Sequence, residues 1–148
     1  MSKRPDPTSI AQETLEEARM VLPGIQALFG FQLIAVFNER FRSLDPLDQR
    51  LHYAALVLIA VAIALIMTPA AYHRMVEQTT VSDFFIRFTS WLIAAAMVPL
   101  MTAISLETYI VAVILFGRGI LSVGVSLVLF GLFAGLWFGL PLAIRRGR

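Results

Sequence analysis

Polar and ionisable side chains inside apolar stretches are the first place to look for chemistry, because a buried polar group without a partner costs free energy. Gln26 and Gln32 lie within the apolar run Val21–Phe37, and Glu39 follows it. Gln32 and Glu39 are seven residues apart, a spacing that places them on one helix face, while Gln26 lines up with Gly30. Such a face suits passage of an ion or small solute, and it equally suits amide hydrogen bonds that fasten helices together. Glu39 with Arg40 and Arg42 reads as a membrane-edge cluster, where a solvated ion pair is cheap. His52 and His73 flank the next apolar run at opposite ends, ~30 Å apart by helix rise, so they cannot share a metal. His73 with Glu77 is a candidate proton-sensitive pair, beside the plainer reading of an interfacial histidine.

Other chemistries are absent from the sequence. There is no cysteine, which excludes disulfides, thiol catalysis and thiolate metal sites. No phosphate-binding glycine loop, nucleophile elbow or paired catalytic carboxylate occurs, and Gly117-Arg118-Gly119 reads as a turn. The expectation is a protein that is not an enzyme and that uses neither a cofactor nor a metal.

The elements that must position these residues are membrane helices. Of the 148 residues, 58% are hydrophobic and 15% charged, with mean hydropathy +0.78. A soluble domain carries about 45–50% apolar and about 25% charged residues. Net charge is +2, and the twelve Lys and Arg residues are dispersed, which argues against nucleic acid as a partner. The expected partner is the lipid bilayer.

Along the chain, Met1–Pro7 is not followed by an apolar signal core. Ser9 and Gln12 have capping-box spacing, and Ala11, Leu15, Ala18 and Leu22 share a stripe, so residues 9–20 read as an amphipathic interfacial helix ended by Pro23-Gly24. Four spans follow, at about 21–37, 51–72, 84–105 and 120–144. Arg87 is placed to snorkel near the start of the third. Thr108–Phe116, bounded by Glu107 and Arg118, is too short to span and reads as re-entrant, interfacial or an extension of a neighbouring helix. The fold class is thus an all-α polytopic membrane bundle in one domain. Eight Lys and Arg residues fall in the N-terminal segment, second loop and tail, against four in the other loops. That bias puts both termini in the cytoplasm.

Gly131, Gly135 and Gly139 repeat every fourth residue in the last span, and Gly124 extends the stripe. Small residues at this spacing let a second helix approach closely. The partner is either another span of the same chain or a second subunit, which makes a homo-oligomer or a larger membrane complex an expected state.

Two strings, Leu22-Pro-Gly-Ile-Gln-Ala-Leu-Phe-Gly-Phe-Gln-Leu33 and Met67-Thr-Pro-Ala-Ala-Tyr-His-Arg74, carry a resemblance. They are similar to an uncharacterised family of small bacterial membrane proteins with four helices, over about Glu13 to the end. The resemblance implies a bacterial inner-membrane location and this topology. Some members are labelled sodium:proton antiporters, although larger antiporters keep acidic residues mid-membrane and the spans drawn here contain none. Two functions stand open: an oligomeric channel or carrier for a small monovalent cation or proton, with Gln26, Gln32, Glu39 and His73 on its path, and a non-transporting accessory subunit docked through the glycine stripe.

Overall fold

A computed structural model describes the backbone of residues 7–76 and 82–147; of the side chains before residue 19, only that of Glu16 is described. Every element among the described residues is helical: α1 (Pro7–Ala35), α2 (Glu39–Arg42), α3 (Pro46–Met75), α4 (Asp83–Phe116), α5 (Ile120–Ala134), a π-helical turn (Gly135–Gly139) and α6 (Leu140–Arg146). The last three form one continuous rod, Ile120–Arg146. Among the described residues, three helices are long and apolar enough to cross a membrane: Pro46–Met75, Asp83–Phe116 and Ile120–Arg146. The apolar part of α1, Arg19–Ala35, is shorter.

The helix starts follow local chemistry. Asp45 caps α3 through the Leu47 amide, with Pro46 in the first turn where its missing N–H is no loss. Ser82 caps α4 through the Phe85 amide. Gly117, at φ +80°, ends α4 in a backbone conformation that a side chain would strain. The hydroxyls of Thr68, Ser90, Thr102, Ser105 and Thr108 each donate to the carbonyl four residues back, so none needs water within the spans. The π turn lies just before Pro141. A wider turn relieves the clash of the proline ring with the carbonyl of Trp137.

α3 and α4 form the central antiparallel hairpin. Buried residues of α3 fall at Asp48, His52, Ala55, Ile59, Ala62, Ile66 and Pro69, alternating steps of four and three. That is the seam of a left-handed helix pair. Opposite it, α4 buries Ala96, Leu100 and Ala103. Alanine on both sides lets the backbones approach closely, which replaces the hydrophobic drive that lipid removes. Ile25 of α1 joins this core, and Trp137 packs at its margin. The apolar residues facing outward, such as Phe31, Trp91, Leu127 and Val128, are those expected against acyl chains.

Several boundaries differ from the sequence reading. α1 runs through Pro23-Gly24 without a break, so segments 9–20 and 21–37 are one helix that stops at Ala35. Proline at 23 removes one backbone hydrogen bond, and the flanking turns carry the helix across. The amphipathic stripe and the Ser9 cap involve side chains outside the described ones, as do Lys3, Arg4 and Glu77. Thr108–Phe116 is the end of α4 and not a separate piece. That extension carries Glu107 into the body of a long apolar helix.

Candidate functional site

The polar side chains of interest gather at one end of the hairpin, where α3 begins and α4 ends. His52 is almost fully buried, and its two ring nitrogens have different partners. Nε2 lies 3.0 Å from the backbone carbonyl of Gln32 on α1, and Nδ1 lies 2.9 Å from Glu107 Oε1 on α4. Phe41, on α2, sets its ring edge-on to the imidazole at 4.9 Å.

This geometry restricts the protons. A carbonyl oxygen only accepts, so Nε2 carries the hydrogen and donates it to Gln32. At 2.9 Å a bare Nδ1 and a bare carboxylate oxygen would repel, so the separation favours a proton on one of the two. The pair is then imidazolium with carboxylate, or neutral imidazole with carboxylic acid, and its net charge is zero in both forms. The contact is close but poorly directed, and Glu107 Oε1 has no well-aligned hydrogen bond. Glu107 also keeps 19% of its side chain exposed, toward a cavity of ≈230 Å³ walled by Ala35, Asn38, Phe41, Ile110 and Val111.

One turn nearer the helix start is a second polar group. Asp48 is 1% exposed, and its Oδ2 accepts a hydrogen bond from Arg118 Nη2 at 2.8 Å. Arg118 Nη1 reaches Asp45 Oδ2 at 3.5 Å. The hydrogen bond to Asp48 pushes the guanidinium further above its usual range, against an opposing desolvation effect and with added support from the charges of Asp48 and Asp45. Arg118 sits in the turn between α4 and α5, held by the Gly117 cap and by the hydrogen bond from Ser122 Oγ to the Gly117 carbonyl at 2.7 Å. Ser126 adds a bond from α5 to the Ser105 carbonyl at 2.7 Å.

The residues predicted from sequence are not brought together. Gln32 is buried, yet neither side-chain atom has a hydrogen-bond partner among the described residues; its backbone meets His52. Gln26 is exposed, because six residues of helix turn it to the other side of α1. Glu39 does not share a helix face with Gln32: α1 ends at Ala35, and Glu39 begins the separate α2 with its side chain exposed. His73 lies at the opposite end of the hairpin beside Phe85, in an aromatic group with Tyr72 and Phe88. Among the described residues the glycine stripe is not a packing face, since a Cβ at Gly124, Gly131 or Gly135 would meet nothing within 4 Å, and one at Gly139 only the carbonyl of Ala134. The last span leans on α4 by another side, through Ser122 and Ser126, and the glycines are left outward.

The sequence reading separates His52, at the entrance of a span, from Glu107, a boundary, and Arg118, a turn residue, and gives Asp48 no role. The seam spacing was the available signal. Asp48 and His52 stand four and three residues before Ala55 on the buried stripe, so both had to face α4.

No curated protein and no solved structure matches this chain. A family profile does match, over residues 10–141, which takes in all of these groups. The chain therefore belongs to the family of unknown function DUF6328.

Proposed function

We propose that this chain is a membrane carrier for a proton or small monovalent cation, and that His52 and Glu107 form its binding site. The observation that carries the reading is a buried imidazole 2.9 Å from a carboxylate that also faces a cavity, a pair able to share one proton. Removing that proton leaves neutral imidazole beside a carboxylate, a net charge of −1 in low dielectric. A small cation taking up the carboxylate oxygen restores neutrality. The site thus favours exchange of one positive charge for another. Deeper along the seam the core is alanine, isoleucine and leucine. An open pore does not fit that interior, so passage requires a change in which side the site faces, or a route along a subunit boundary.

In this reading α1 supplies the fourth crossing, both termini are cytoplasmic, and the membrane is the bacterial inner membrane. The site then opens to the extracytoplasmic face. The test is uptake of ²²Na⁺ and dissipation of a pH gradient in proteoliposomes. Wild-type flux that Glu107→Gln abolishes, in protein that still folds, supports the proposal; absence of wild-type flux overturns it.

One observation favours a second reading, a non-transporting subunit that docks through its last helix. The apolar window of Ile120–Arg146 is only 6% buried, and its glycines stand open. A second copy of the chain is the occupant this reading names, and cross-linking in native membranes through a cysteine at Gly131 tests it.

A further inference from the structure

Asp48 has a chemistry of its own that the His52–Glu107 exchange does not use. It is 1% exposed, and only one of its oxygens is satisfied: Oδ2 by Arg118, Oδ1 by nothing among the described residues. A buried carboxylate oxygen without a donor is costly, and cations are its natural complement. Asp48 lines a cavity of ≈570 Å³ that reaches the exposed Asp45, Ser43 and Arg118. Arg40 and Ile114 wall both this cavity and the smaller one at Glu107. The two carboxylates therefore stand in series from the outer surface inward, with Asp48 one turn (~6 Å of helix rise) before His52.

We propose that Asp48 is an outer binding station for a small monovalent cation such as Na⁺, and that the Arg118 guanidinium is its tethered placeholder. The inference rests on the exchange reading above, which it extends to the route of access. Arg118 is suited to yield: 46% of its side chain is exposed, so it swings into water at little cost, whereas Asp48 cannot follow. The groups facing Asp48 are Arg118 from the α4–α5 turn, Arg40 from α2, and Asp45 and His52 from its own helix, with Glu107 beyond on α4. With Arg118 withdrawn, Asp45 and Asp48 oppose only Arg40 at the cavity, a balance that attracts a cation. The cation replaces the guanidinium on Oδ2 and gains Oδ1, and then passes to Glu107 as the shared proton leaves.

The experiment measures Na⁺ dependence of ²²Na⁺ uptake in proteoliposomes, and of thermal melting in detergent at constant ionic strength. Asp48→Asn should raise half-saturating Na⁺ by about tenfold or more, the loss expected for one charge-assisted contact. Arg118→Gln should lower half-saturating Na⁺ because the competitor is gone, and Arg118→Lys should return it toward wild type. Unchanged half-saturation in Asp48→Asn overturns the station. Should Asp48→Asn fail to fold, Arg118→Gln decides: lowered melting without lowered half-saturation marks a structural clasp and overturns the proposal. Uptake that survives Glu107→Gln but still weakens in Asp48→Asn refutes the exchange reading and leaves the outer station standing. Neither uptake nor Na⁺-dependent melting in wild type refutes both.

Discussion

His52 and Glu107, far apart in sequence, meet with Nδ1 and Oε1 2.9 Å apart across the α3–α4 seam. Apolar residues adjoin both along their helices: Ala55 follows His52 on the seam, and Ala103 and Ile110 flank Glu107. Breaking this pair from either side has different consequences. Glu107→Gln keeps an amide that can donate to Nδ1, so the fold should survive with a small loss in melting temperature. His52→Ala removes the partner of a largely buried carboxylate and opens space in the seam, and should cost more, about 2–4 kcal/mol. Denaturant or thermal unfolding of the two variants in the same detergent checks the order, and equal losses would show that the contact contributes no stability.

How far the sequence led can be judged on particular residues. Composition and span length were enough for a helical membrane chain, because the bilayer admits few alternatives. The turn at Gly117 was local and legible. Glu107 was not, since the end of α4 depends on whether Thr108–Phe116 continues the helix, and its apolar character fits several conformations. The face shared by Gln32 and Glu39 failed for a related reason: seven-residue spacing means one face only if the helix continues, and α1 stops between them at Ala35. The Arg118–Asp48 contact joins the α4–α5 turn to the first turn of α3 and needs the hairpin register, which no local pattern supplies.

The glycines give a prediction opposite in sign to that of the seam alanines. Gly135→Leu projects into open space, so the melting temperature of the monomer in detergent should stay within ~0.5 kcal/mol equivalent of wild type. Ala62→Leu or Ala103→Leu overfills a contact with no accessible surface and should destabilise by about 1–3 kcal/mol. A large loss in Gly135→Leu would mean that the stripe is covered, by a second copy of the chain or by a rearranged span.

Gln32 separates its backbone from its side chain. The carbonyl holds His52, while the buried amide has no partner among the described residues. Gln32→Leu keeps the carbonyl and removes an unsatisfied polar group, so stability should rise or hold, by up to about 1 kcal/mol. A clear drop in melting temperature would show that the amide is bonded after all and fastens α1 to its neighbours.

Orientation is accessible because the chain has no cysteine of its own. Ser43 and Met75 are exposed at opposite ends of α3. A membrane-impermeant thiol reagent on intact cells should label Ser43→Cys and spare Met75→Cys. The reverse pattern would place the His52–Glu107 site on the cytoplasmic face.

The shared proton at His52–Glu107 is tested most directly by measuring proton release when Na⁺ is added to the purified protein in weakly buffered detergent solution. The account predicts release stoichiometric with the chain. Glu107→Gln should show none, with choline chloride as the control for ionic strength. Na⁺ that releases no proton from wild type, or the same amount from Glu107→Gln, would contradict exchange at this site.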